Sequence, residues 1–423
     1  MLRNSVTLAG GTAVAQVLPF LFYPLLGRLF TAGEFGMLAA VTSIASVLAV
    51  AGSGKYEGGI LVARQRDEAA HLAVLSVALG AVAMVLAWAV MQLTLAEPLS
   101  RWFDEPALVR WLWVCPLGAF FIIVYNVYNE WCVREGYFQS LSLNKIVNSG
   151  AVTLGKVVLG LVKVCGQGLV VGDLVGRGVG AAVCVARWWL RDRVAFAQVR
   201  LSKIRKVAAV YKEFPLYTMP GALLNTIAQA VPVLLVAYYL DKEHVGHFSM
   251  AMTLFAVPIN VVSSAVRDVY RQRANEEYAS QGNCLRSFDR VMWTLSAVAV
   301  GGFLLFEWFL PRLTGFFLGP GWETAGRYAQ ILAPAMVVMF VSNALSGIFV
   351  VAGKLRQFFW WQVYFAVVTI ISVWIGGELV GSMEAILVLL AAGRATAYVA
   401  SIVATRRYAA GDRRNPSNER IQG

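Results

Sequence analysis

Apolar residues run in long unbroken stretches along this chain, without the two-residue alternation of a half-buried strand. Eight stretches of at least 19 residues hold no Asp, Glu, Lys or Arg: 4–27, 35–54, 69–96, 111–129, 214–240, 245–266, 328–353 and 357–377. Each is long enough to cross a hydrocarbon core as a helix. Four more, about 141–162, 166–186, 291–311 and 383–405, have the same length and carry one or two charges. Together they predict an all-α polytopic membrane protein with about 12 transmembrane helices. A barrel is excluded, because its strands would read as short alternating segments. The run 4–27 is too long for the apolar core of a signal peptide and contains Pro19 and Pro24, so it reads as the first span.

Composition agrees: 58% of the 423 residues are hydrophobic and 14% charged, with a mean hydropathy of +0.64. A soluble domain carries roughly 25% charged residues, so this chain lacks the polar surface to cover a water-facing globule. The five cysteines have no CxxC spacing, which argues against a disulfide framework or zinc site.

The formal charge of +12 is explained by topology. With twelve spans and a cytoplasmic amino terminus, twenty-four Lys and Arg fall in cytoplasmic segments; Arg28, Arg101, Lys163, Lys242 and Arg312 fall opposite. By the positive-inside rule both termini are cytoplasmic, and the basic balance needs no nucleic-acid partner.

The halves resemble each other. Ala15-Gln16-Val17-Leu18-Pro19 recurs 213 residues later as Ala228-Gln229-Ala230-Val231-Pro232, and each is followed by a loop ending in Phe35-Gly36 or Val245-Gly246. Six helices per repeat relate the halves by an axis along the membrane normal. This predicts an amino-terminal bundle over 1–190, a basic cytoplasmic linker over 191–213, a second six-helix bundle over 214–407 facing the first across a central cavity, and a disordered cytoplasmic tail over 408–423. In the linker, Val194, Leu201, Ile204, Ala208 and Tyr211 follow helical spacing among cations. That pattern suits an interfacial helix on anionic lipid, while a purely topogenic linker has the same charge.

Charges inside spans are costly and face an interior, a partner or a cavity. On the fifth helix Lys145, Lys156 and Lys163 fall on one azimuth, extended by Asn148 and Ser149, a stripe suited to an anionic head group. Lys145 and Lys163 can instead snorkel to opposite interfaces. Helix two carries Lys55-Tyr56-Glu57, whose charges point in different directions, so one can face a cavity while the other pairs elsewhere; Glu57 is open to a coupling or substrate role, or to an interhelical salt bridge. Asp173 and Arg177 are placed to neutralise one another, and Gly172, Gly176 and Gly180 form a ladder for close helix packing. Prolines 19 and 24, with 215, 220 and 232, bend corresponding helices of the two halves.

No GxxxxGK[ST] loop is present and Gly52-Ser53-Gly54 fits no dinucleotide fingerprint, so any driving force is external, such as an H⁺ or Na⁺ gradient, and no cofactor is expected. His244 and His247 with Asp241 and Glu243 read as a solvated turn, not a metal site. The short outer loops argue against a membrane polymerase or other enzyme.

Three segments resemble a known family. Leu8-Ala9-Gly10-Gly11-Thr12-Ala13-Val14-Ala15-Gln16 with Pro24-Leu25-Leu26-Gly27-Arg28-Leu29-Phe30-Thr31 and Glu34-Phe35-Gly36 is one; Lys55-Tyr56-Glu57 with Gly59-Ile60 is another. The third is Gly319-Pro320-Gly321-Trp322-Glu323-Thr324-Ala325-Gly326 with Ile331-Leu332-Ala333-Pro334. They resemble the O-antigen type of polysaccharide flippase in the multidrug/oligosaccharidyl-lipid/polysaccharide (MOP) exporter superfamily. The resemblance implies alternating-access transfer of a polyprenyl-diphosphate-linked oligosaccharide, an O-antigen, capsule or exopolysaccharide unit, across a bacterial inner membrane. Its setting suggests contact with membrane lipid and with a glycan polymerase or chain-length regulator. Arg28 and Glu57 occupy its motif positions; Lys55, Lys145, Lys156 and Arg394 join them from the charge pattern as substrate-binding candidates. The competing expectation is a cation-coupled small-molecule or drug antiporter of the same superfamily, whose cavity would favour carboxylates.

Overall fold

The computed structural model describes residues 2–95, 113–162 and 168–411. Twelve long helices dominate them: α1 (Leu2–Leu29), α2 (Ala32–Ser53), α3 (Arg66–Val90), α4 (Val114–Arg134), α5 (Phe138–Leu161), α6 (Gly168–Ala197), α7 (Met219–Tyr239), α8 (Lys242–Gln281), α9 (Leu285–Phe306), α10 (Glu323–Leu345), α11 (Leu355–Ile375) and α12 (Met383–Ala409). No strand occurs among the described residues. The long apolar runs form helices because the bilayer leaves each segment to satisfy its own backbone hydrogen bonds.

Ten of the twelve are long and apolar enough to cross a membrane; α4 and α5 are diluted by polar residues. Those residues find internal partners, as a low-dielectric surrounding requires. Asn144 Nδ2 on α5 donates to Asn129 Oδ1 on α4 at 2.9 Å, and Lys145 Nζ donates to Thr12 Oγ1 on α1 at 2.9 Å. Outward faces are apolar and bare, with Leu93, Trp308 and Phe316 all at least 80% exposed, the pattern of a lipid-facing surface.

Helices α1–α6 and α7–α12 form two bundles, which meet through α1 and α2 on one side and α7 and α8 on the other. The glycine ladder performs its expected packing role. Gly172 lies against the Gly155–Lys156 backbone of α5, Gly176 against Val152 and Gly180 against Asn148. Cys115, Cys132, Cys184 and Cys284 are buried and form no disulfide among the described residues.

Three expected boundaries move. The division at 190 falls inside α6, which continues to Ala197 because Asp192 is buried there as an anchor: it receives Arg66 Nη2 at 2.5 Å and Trp131 Nε1 at 3.2 Å. The linker helix is short, Leu201–Val210, and docks on the start of α3 through Lys203–Asp67 (3.0 Å) and Tyr211 Oη–Glu68 (3.1 Å). At the other end α12 runs to Ala409, where Cys284 N donates to its carbonyl at 2.8 Å, so residue 408 belongs to the bundle. The rest of the expected tail, from 412, lies outside the described residues, as does Lys163.

Candidate functional site

Twelve antiparallel helices put the start of α1 and the end of α12 on one side, the terminal end. At the opposite end the bundles are sealed. Thr31 begins α2 with a capping box, Thr31 N donating to Glu34 Oε2 at 2.8 Å; Asp241 caps α8, accepting from His244 N at 2.9 Å. Five residues after each cap, Gly36 and Gly246 bring these two helix starts together backbone to backbone. A Cβ on Gly36 would overlap the Lys242 carbonyl oxygen, and one on Gly246 the Ala32 carbonyl oxygen.

The segment around Trp322 finishes the seal. Trp322 Nε1 donates to Gly27 O at 2.9 Å and its ring meets Phe35 edge to face at 5.2 Å. The segment leading to Trp322 carries a short helix, Leu310–Leu318, packed on α1. His244 and His247 serve this region by packing: their rings lie near Tyr328, and His247 also meets Trp322 edge-on.

Between the bundles lies a cavity of about 920 Å³. Its lining runs from Leu26 and Phe35 beneath the seal to Ser346 and Phe358 at the terminal end. Polar residues from both halves line it, including Thr42, Asn148, Asn225, Gln229, Asn260 and Asn343. Gln229 and Pro19 bring the two copies of the repeated Ala-Gln-x-x-Pro motif to its wall.

Charge on the wall is unbalanced. Lys156, Arg177, Arg267 and Arg394 line the cavity, and Asp173 is the only carboxylate among the described lining residues. Asp173 already has partners: Lys156 Nζ lies 2.8 Å from Oδ1 and Arg177 Nε 2.5 Å from Oδ2. Two cations on one anion leave that group with a positive formal charge.

Arg394 is different. It is 4% exposed, lies with its guanidinium carbon 5.7 Å from the centre of the Phe365 ring, and its Nη1 reaches only the sulfur of Met252 at 3.7 Å. Its Nε has no hydrogen-bond partner, and no carboxylate lies within ion-pair distance among the described residues. A buried guanidinium in this state offers its donors to whatever enters the cavity.

Of the six candidate residues, Lys156 and Arg394 reach the cavity wall and four lie elsewhere. Arg28 is at the exposed end of α1, where Nη2 donates to Phe316 O at 3.3 Å. Lys145 points to α1, because the close α5–α1 packing puts Thr12 within its reach. Lys55 and Glu57 pair with each other at 3.2 Å. They were expected to diverge, but α2 ends at Ser53, and the left-handed Lys55 (φ 57°) followed by a tight turn at 56–58 folds one charge onto the other.

Two features escape a reading one helix at a time. Lys156 and Asp173 are on adjacent helices, and only the glycine ladder between them hints at the meeting. Arg267, counted among the topogenic cations, lines the cavity because α8 continues unbroken beyond its apolar stretch.

Solved structures share this two-bundle, twelve-helix fold. A MOP superfamily transporter from Pyrococcus furiosus Vc1 (DSM3638) superposes with a TM-score of 0.64 at 16% identity, over 96% of this chain and 95% of that one. Lipid II flippase MurJ in its inward closed conformation gives 0.71 at 11% identity, over 96% and 87%. Residues 25–326 match the family described as polysaccharide biosynthesis protein, and the chain belongs to that family. A curated relative is the succinoglycan biosynthesis transport protein ExoT of Rhizobium meliloti (strain 1021), 23% identical over 374 residues, which are 86% of this chain and 73% of ExoT.

Proposed function

We propose that this protein moves a polyprenyl-diphosphate-linked oligosaccharide across the bacterial inner membrane by alternating access, with both termini cytoplasmic. The observation that carries this reading is Arg394, a buried cation without a carboxylate on the wall of a cavity that already has more cations than anions. An anionic diphosphate meets that need, while the cargo's sugars find the polar lining and its polyprenyl tail stays in lipid. Membership of a polysaccharide biosynthesis family and the MurJ-like fold support the same direction. With cytoplasmic termini, a cavity sealed at the opposite end is in its loading state.

In this reading Lys156 and Arg394 contact the diphosphate. Arg28 acts on the seal, Lys145 fastens α5 to α1, and Lys55 and Glu57 pair within the turn that follows α2. The test is deletion of the gene followed by mass spectrometry of the host's lipid-linked glycans with an assay of their leaflet. Accumulation of a completed repeat unit on the inner leaflet is expected. Normal glycan lipids on both leaflets, together with gradient-driven export of a cationic dye, would replace this reading with a small-molecule antiporter.

A further inference from the structure

Charge does not account for the other half of the cavity wall. Phe358, Trp361, Gln362 and Phe365 follow an i, i+3, i+4, i+7 pattern on α11 and so share one face, and all four line the cavity. The rings form a file. Phe358 and Trp361 stack at 5.8 Å with an 18° interplanar angle, and Trp361 and Phe365 at 5.7 Å and 30°. Tyr398 of α12 backs the file, 5.4 Å from Phe365, and Trp361 is held by a 2.7 Å bond from Nε1 to Ala397 O. The rings follow one another for about 10 Å along α11 and border the cavity as one aromatic surface, with Phe365 its most buried member at 8% exposed.

This surface belongs to the carboxyl-terminal bundle, while the Lys156–Asp173–Arg177 group stands on the amino-terminal one. Asn225 and Gln362 add amide donors and acceptors to the same cavity wall, and Asp173 of the amino-terminal bundle is the only carboxylate among the described lining residues. A pyranose ring has the matching chemistry: an apolar face of C–H bonds for an aromatic face, and rim hydroxyls for side-chain amides. Such a ligand requires no charge on the protein. Phe358 is nearer the terminal end than Arg394, so sugars on this file would extend from a diphosphate at Arg394 toward the cavity's terminal end.

We propose that the α11 wall is the saccharide subsite of the cavity, with Trp361 as its central stacking ring and Gln362 and Asn225 bonding sugar hydroxyls. The proposal rests on the flippase reading and adds to it a division of labour: one bundle and Arg394 hold the anion, and α11 holds the glycan.

The test measures binding to the full-length protein in lipid nanodiscs with two probes. One is the phosphate-free oligosaccharide released by mild acid from the host's lipid-linked glycans; the other is inorganic pyrophosphate. Trp361→Leu should weaken oligosaccharide binding by about tenfold or more, an energetically modest loss for a stacking ring, and leave pyrophosphate binding unchanged. Trp361→Phe, which keeps a ring, should recover most of the affinity. Oligosaccharide binding that is equal in wild type, Trp361→Leu and Gln362→Ala would overturn the subsite and leave the flippase reading intact. Wild-type protein that binds pyrophosphate and no oligosaccharide would overturn it too. Equal loss of both probes in Trp361→Leu and Trp361→Phe would reduce the ring to a packing element. The flippase reading itself stands or falls on the glycan-lipid analysis, which does not depend on Trp361.

Discussion

Gly36 and Gly246 occupy matching places in the two halves, and each presses its bare Cα side against the other helix's backbone. The contact leaves no space for a side chain, since a Cβ on either glycine would overlap a carbonyl oxygen of the opposing helix. Backbone cannot yield as the tip of a flexible chain can, so Gly246→Ala should part the starts of α2 and α8. The expected result is a population shift toward a form open at the sealed end. A cysteine placed at Leu38, which lines the cavity below the seal, should then react with an impermeant maleimide added from the opposite side. Unchanged labelling in Gly246→Ala and Gly36→Ala would mean that this contact does not hold the gate.

Arg394 separates binding from stability. Most buried ion pairs cannot be tested cleanly, because removing one partner strands the other and costs about 3–5 kcal/mol. Arg394 strands nothing, as it has no carboxylate partner among the described residues. Arg394→Gln should therefore leave thermal stability in detergent unchanged or raise it, while pyrophosphate affinity and glycan export fall by about tenfold or more. A variant that exports normally removes Arg394 from the site; one that unfolds makes it structural.

Asp192 makes the opposite prediction. It is 4% exposed and accepts from Arg66, Trp131 and, at 3.4 Å, Tyr137, so it ties the ends of α4 and α6 to the start of α3. Arg66 is half exposed, which limits the Coulomb contribution. Asp192→Asn should cost about 1–3 kcal/mol of stability, seen as a lower melting temperature, with pyrophosphate affinity unchanged in the protein that remains folded. An unshifted melting temperature would contradict the anchoring role.

The span pattern, the internal repeat and the glycine ladder were readable because each is a property of one segment or of spacing along the chain. The cavity chemistry was half readable for a physical reason. An azimuth on one helix identifies a polar face but not the neighbour that meets it. Lys145 and Lys156 share a face of α5, yet one turns to Thr12 of α1 and the other to Asp173 of α6. Arg66 and Arg134 fit a topogenic count and also bind Asp192 and the Ile60 and Ala63 carbonyls, a second use that charge counting does not see. The Lys55–Glu57 pair depended on one positive φ angle at a non-glycine residue, which no hydrophobic pattern encodes.

Glu277 gives the terminal end a defined acid response. It lies on the part of α8 beyond the apolar span, where a hydrogen bond from the Ser287 hydroxyl, together with a 2.9 Å contact with Arg273, outweighs the opposing effect of burial and holds its carboxyl below the ordinary glutamate value. A depressed carboxylate stabilises the folded state fully above its unfolded value, about 4.3, and that contribution is lost as pH falls through the lower folded value. Melting temperature in detergent should thus fall on acidification below about pH 4.3, and Glu277→Gln should flatten that part of the profile while lowering stability at neutral pH. Ser287→Ala should act in the same direction, since it removes the strongest of the hydrogen bonds. Acid profiles of both variants that superimpose on the wild type would show that the Glu277–Ser287 contact does not contribute to holding α8 against α9.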